Sequence, residues 1–132
     1  MNKEINIKLP NNLPSGIWDT YGVTIQRLAD KLGVTQLHHI GLLADKPHPQ
    51  ATFVPSTCCW VGPVDDGLET LYFDSEEKSR PYSKPHYCFA VKETESILKQ
   101  GYQIDSQVNG PLGPATFITV DGETVELLIP ID

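Results

Sequence analysis

Apolar residues recur at spacings of three and four from Trp18 through Tyr21, Ile25 and Leu28 to Leu32. That period places them on one stripe of a helix, and Gly33 is its natural stop. From residue 37 the period shortens, and short apolar runs split by Pro, Gly and Asp predict strands at about 37–44, 51–55, 57–62 and 68–74, then 85–92. "ETESILKQ" predicts a second helix near 93–100, ended by Gly101, and weaker extended segments follow at 102–108, 115–120 and 124–130. Asp121-Gly122 lies between the last two and is a strong hairpin signal, while "PVDDG" at 63–67 reads as another turn. Residues 1–16, rich in Asn and Pro, read as an extended arm with a short strand at "INIKL". "DSEEKSRPYSKP" is charged and proline-bearing, and predicts an exposed linker over 75–84.

The elements together predict an α+β fold: an N-terminal arm and amphipathic helix at 1–36, then one domain at 37–132 whose halves lie at about 37–74 and 85–130. A chain of 132 residues is long enough to bury a real core. Its net charge of −7 and the lack of a Lys/Arg cluster argue against a nucleic-acid backbone or an anionic membrane as partner, and favour a small molecule or another protein. "TIQRLADKLGVTQLHHIGLL" has the outline of a helix-turn-helix, but "LHHIGLLA" is too apolar for a recognition helix. The apolar runs are shorter than a membrane span and the N-terminus lacks a signal peptide's apolar core, so a cytoplasmic protein is expected. Cys58, Cys59 and Cys88 make a poor disulfide set and read as reduced strand residues.

The chemistry lies in a repeat. "HIGLLA" at 39–44 aligns with "HYCFAV" at 86–91: a histidine, a large apolar residue, a small residue and a large apolar residue. Side chains alternate along a strand, so Ile40, Leu42, Tyr87 and Phe89 belong to a bulky face. His39, Gly41, His86 and Cys88 belong to the other, which suits a lined cavity. Glu69 in "GLETLYFD" and Glu126 in "TVELLIPID" interrupt the strands that close each half. A carboxylate amid "VELLI" costs several kcal/mol to bury without a partner. Trp60, Tyr72, Phe73 and Phe117 are read as core residues, with pocket walls as the alternative, and His38 and His48 as structural or surface groups.

"LHHIGLLAD", "KPHYCFAV" and "GPATFITVDGETVELLIP" resemble the opening strands and closing hairpin of the vicinal oxygen chelate superfamily, the glyoxalase, bleomycin-resistance and extradiol dioxygenase group. The resemblance covers residues 37–130. It implies two βαβββ modules pairing into an incomplete barrel, with His39, Glu69, His86 and Glu126 as ligands of a divalent ion (Zn, Ni, Co, Mn or Fe). His39 is preferred to His38 because it shares the register of His86, its neighbour being expected to turn away from the cavity. The first module departs from the pattern, since three prolines in "ADKPHPQATFVP" leave no room for its helix. The helix at 18–32 is expected to cover that face instead. The implied activity is that of a lyase or isomerase of the glyoxalase I or methylmalonyl-CoA epimerase kind, with Glu126 or Glu69 as base, in a homodimer. The alternative is a metal-free protein of the same fold that binds a small drug-like molecule.

Overall fold

The computed structural model describes residues 7–55 and 57–131. The apolar stripe forms helix α1 (Ser15–Leu32), which buries Ile25, Leu28, Ala29 and Leu32 and ends at Gly33 in the left-handed region, φ 72°. The Gly33 N–H donates to the Ala29 carbonyl at 2.8 Å, the bond that closes such an end. Eight strands follow: β1 (Leu37–Leu43), β2 (Thr52–Val54), β3 (Cys59–Val61), β4 (Leu68–Tyr72), β5 (His86–Ala90), β6 (Gln103–Gly110), β7 (Gly113–Val120) and β8 (Glu123–Leu128). They form one mixed sheet in the order β2-β3-β4-β1-β5-β8-β7-β6, curled into a half-barrel.

The order is a mirror about its centre. β1 and β5 pair antiparallel in the middle; β1 pairs parallel with β4, and β5 pairs parallel with β8. Gly41 stands beside Glu69 in one parallel pair, and Cys88 beside Glu126 in the other. The residue two places after each histidine of the repeat therefore adjoins the embedded carboxylate of its own half. Two hairpin turns also match. Asp66 and Gly67 before β4 have φ 52° and 79°, and Asp121 and Gly122 before β8 have φ 52° and 80°. Positive φ at both central residues gives the turn whose twist suits a two-residue hairpin, and Asp-Gly is among the pairs that tolerate it best.

Alternation divides the sheet as the sequence predicts. Ile40, Tyr87, Phe89, Ile118, Val125 and Leu127 form the convex side and pack with Ile25, Leu28 and Leu32 of α1 in the main core. Fully burying a side chain such as Leu28 stabilises the fold by about 1.5–3 kcal/mol. Lys31 reaches Asp121 at 2.7 Å, tying the end of α1 to the last hairpin. Residues 44–51 contain no helix, and α1 shares the main core with Ile40 of β1 and with Tyr87 and Phe89 of β5.

Two expectations are corrected. Segment 75–84 carries more structure than a linker: helix α2 (Glu76–Ser79), whose end is capped by the Ser75 hydroxyl accepting from the Lys78 N–H, and a 3-10 turn (Arg80–Tyr82) that stacks Tyr82 on Phe73 at 5.0 Å. The helix expected near 93–100 is one short turn, α3 (Glu95–Leu98), because Ile97 is its single buried residue. At the arm, Lys8 bridges Gln36 in parallel, while the start of "INIKL" lies outside the described residues. The segment after Gly33 is strand, with no recognition helix. Among the described residues, no helix is long and apolar enough to cross a membrane.

Candidate metal centre

Four side chains meet on the concave face, one each from β1, β4, β5 and β8. His39 Nε2 lies 3.5 Å from Glu69 Oε1 and 3.4 Å from Glu126 Oε1; His86 Nε2 lies 3.5 Å and 3.1 Å from the same two oxygens. All four residues are buried, His39 completely. Nitrogen and oxygen donors held about 2.1 Å from a common ion are separated by about 3.0 to 3.4 Å, and this ring of contacts has that scale. Both Nε2 atoms are buried and, apart from these carboxylate contacts, have no hydrogen-bond partner. Two buried imidazole nitrogens and two buried carboxylate oxygens aimed at one point are costly to hold by themselves, and mark a place that a further group could fill. The donor set fits a divalent cation.

Glycine makes the arrangement sterically possible. Gly41 faces His86 across the β1–β5 pair, and a Cβ placed there would lie 1.8 Å from His86 Cε1. The imidazole occupies the space that any other residue at 41 would fill. In the mirrored position Cys88 faces His39.

Burial disfavours charge on all four groups, yet their mutual contacts overcome it. Cys88 and the two carboxylates hold His39 well above the ordinary histidine value, and the carboxylates raise His86. The imidazoles lower Glu69 and bring Glu126 down to about 2. Burial pushes the Cys59 thiol up to about 11 and Cys88 to about 12, so neither is a reactive thiolate near neutral pH. Cys58, Cys59 and Cys88 are all free.

A cavity of about 340 Å³ opens onto the centre. Glu69, His86 and Glu126 line it, whereas His39 is sealed behind them. Its walls are mostly hydrocarbon, with Phe73 and Phe117 among them, and the Phe117 ring lies 5.6 Å from that of His86. Trp60 and Tyr72 do not line it; Trp60 is 37% exposed, against the expectation of a core residue. Tyr82, absent from the sequence reading, lines the cavity because its 3-10 turn brings it over Phe73. His48 lies off the centre, where its Nδ1 accepts from the Gln50 N–H.

As expected, His38 does not line the cavity; it sits in a separate recess with Gly33, Gln36 and Ala90, yet its ring still reaches that of its neighbour. Its Nδ1 lies 2.8 Å from His39 Nδ1. A β-bulge in β1, invisible to strict alternation, causes this.

No family model matches the chain, and no curated protein matches it. Among solved structures, the chain is similar to a hypothetical protein from Bacillus halodurans C-125, at 16% identity and a TM-score of 0.58, over 73% of this chain and 94% of that one. At that identity the likeness bears on the fold alone.

Proposed function

We propose that the four-residue centre holds a divalent metal ion and that the chain is a lyase or isomerase acting by proton abstraction next to a carbonyl of a small chelating substrate. The reading assigns it to the vicinal oxygen chelate superfamily, with β1–β4 and β5–β8 as the two modules and the first lacking its helix. The mirrored strand order and the matched Asp-Gly turns support that assignment. The observation that carries the proposal is the convergence of His39, Glu69, His86 and Glu126 with two orphaned ring nitrogens.

Two imidazoles and two carboxylates suit Zn²⁺, Ni²⁺, Co²⁺, Mn²⁺ or Fe²⁺. Once bound, such an ion supplies Lewis-acid stabilisation of charge developing on a carbonyl oxygen. His39 and His86 act as fixed holders, since both are packed inside the sheet. Glu69 and Glu126 line the cavity and are the two candidate bases, each placed to accept a proton from a carbon held above the centre. The hydrocarbon walls exclude water and strengthen these interactions. Among the described residues no Lys or Arg lines the cavity, so a coenzyme A phosphate would find no counter-charge there. A compact substrate fits better. Pairing into a homodimer belongs to the same proposal, supported by Phe53 and Trp60, which pack together at 5.0 Å and stay partly exposed at the β2 edge.

The apolar walls support a second reading, a metal-free protein that holds a drug-like molecule in the same cavity. Metal analysis of untagged protein separates the two. The first reading expects one equivalent of a divalent ion, lost in His86→Ala and Glu126→Gln, and solvent deuterium exchange into an α-hydroxyketone that depends on that ion. A chain that takes up no ion from a stoichiometric supply, yet binds apolar probes equally with and without these substitutions, belongs to the second.

A further inference from the structure

Strand β1 carries one residue more than its partner at the point where it enters the centre. Leu37 faces Phe89 and His39 faces Cys88, so two steps along β1 match one along β5, and His38 is the extra residue. In a regular strand consecutive side chains leave opposite faces, and two adjacent imidazoles could not touch. The bulge re-aims one of them. The rings of His38 and His39 come to lie edge to face, 5.1 Å between centroids and 78° between planes, with their Nδ1 atoms 2.8 Å apart.

Two ring nitrogens at that distance share one hydrogen, one donating and the other accepting. The remaining nitrogen of His39 decides which. Its Nε2 faces Glu69 and Glu126 and is one of the two orphaned atoms of the centre. A nitrogen that ligates a cation presents a lone pair and carries no hydrogen. A neutral imidazole has a single N–H, so in His39 it then sits on Nδ1. His39 is the donor and His38 Nδ1 the acceptor.

We propose that His38 is a positioning residue, which locks His39 in its Nδ1–H tautomer and thereby presents Nε2 to the metal ion. This inference rests on the metal reading proposed above. Metal-bound histidines usually donate their second N–H to a carboxylate, a backbone carbonyl or water. A neutral imidazole does the same work without a third negative charge beside Glu69 and Glu126, whose two charges already balance a divalent cation. His38 contacts no carboxylate of the centre itself and acts only through His39.

The test uses the full, untagged chain, stripped of metal and titrated with Co²⁺ and Zn²⁺ against a competing chelator. His38→Phe keeps a flat ring and removes the acceptor. It is expected to weaken binding of both ions about 10- to 100-fold and to alter the visible absorption of the Co²⁺ form. The thermal unfolding midpoint of the metal-free protein should fall modestly, because the buried His39 N–H loses its acceptor, whereas the changed Co²⁺ absorption is a readout that a merely structural role would not move. His38→Gln can accept the same hydrogen through its side-chain oxygen and should recover most of the affinity. Should His38→Phe not fold, His38→Lys, a donor only, takes its place in the comparison. Affinity within twofold of wild type in the variant lacking an acceptor overturns the role given to His38 while leaving the metal centre standing. A wild-type chain that binds neither ion overturns the metal reading, and the role of His38 with it.

Discussion

The two halves of the sheet agree where they touch the centre and differ where they do not. β1 and β5 each supply a histidine, β4 and β8 each a carboxylate, and the parallel pairs run in equivalent register. Away from the centre the second half has helix α3 and two eight-residue strands, whereas the first has a proline-rich loop and two strands of three residues. The halves also solve one packing problem differently. Each histidine is faced across β1–β5 by the other strand's small residue, which is Gly41 opposite His86 but Cys88 opposite His39. The bulge at His38 is confined to β1, so the strand that faces a cysteine is also the one that is distorted. Site geometry constrains a few register positions tightly and leaves the surrounding scaffold free to diverge.

Breaking the glycine side of that comparison should have the largest effect. In Gly41→Val the new Cβ would lie 1.8, 2.2 and 2.5 Å from three atoms of the His86 ring, which has the sheet behind it. Overpacking of this kind costs about 1–3 kcal/mol, and occasionally more, and here it also expels a ligand. We expect a loss of about 3 kcal/mol in urea unfolding and no stoichiometric metal. Cys88→Ala, the mirrored change, removes a buried thiol that contacts His39 but does not crowd it, and should leave metal content intact at a cost of about 1 kcal/mol. Equal damage from the two substitutions would mean that the halves do not differ in the way described.

The second test uses pH on the metal-free protein. His39 and His86 are raised above their ordinary value of 6.5, so the stability they contribute is fully present below 6.5 and is lost as pH rises through their folded values. Glu69 and Glu126 are lowered from 4.5, so their contribution is present above 4.5 and is lost as pH falls through their folded values, about 2 for Glu126. Stability should therefore peak between pH 4.5 and 6.5 and fall on both sides. The shift at Glu126 alone corresponds to roughly 3 kcal/mol, shared with the imidazoles that cause it. Metal loading should reverse the alkaline slope, because the ion competes with protons for both rings. Glu126 lies nearer to His86 than Glu69 does, 3.1 Å against 3.5 Å, so Glu126→Gln should flatten the acid side more than Glu69→Gln. Chemical denaturation from about pH 3 to about pH 9 measures both.

Much of this was legible in the chain because alternation and turn chemistry are local. The stripe from Trp18 to Leu32, the strands and the Asp121-Gly122 turn follow from spacing and from residues that tolerate positive φ. His39, Glu69, His86 and Glu126 could be singled out because the repeat gave the histidines one register and because a carboxylate within an apolar strand demands a partner. What stayed hidden was relational. A bulge depends on the partner strand, so strict alternation kept His38 off the cavity but missed its contact with His39. Gly41 read as a small residue, but its need to be glycine arises only when β5 lays His86 across it. Tyr82 reached the cavity through a turn stabilised by stacking on Phe73, in a segment whose charge and prolines signal exposure.

The two Asp-Gly turns offer the finest comparison, since their backbones nearly coincide in φ and their surroundings do not. A Cβ added at Gly122 would meet nothing within 4 Å, so Gly122→Ala carries only the strain of an L-residue at φ 80°, about 1 kcal/mol. Gly67 has the same strain at φ 79°, but its Cβ would also press on Pro10 at 2.7 and 2.8 Å. Gly67→Ala should cost about 2 kcal/mol for that reason. The carbonyl of Gly67 also accepts from the Ile40 N–H at 2.9 Å, next to His39 in the chain. A shift at Gly67 is thus passed to β1 at the point where it enters the centre, while the open space around Gly122 gives its alanine nothing to push. Thermal melting with and without Zn²⁺ should show Gly122→Ala lowering both midpoints in parallel, and Gly67→Ala shrinking the gap between them.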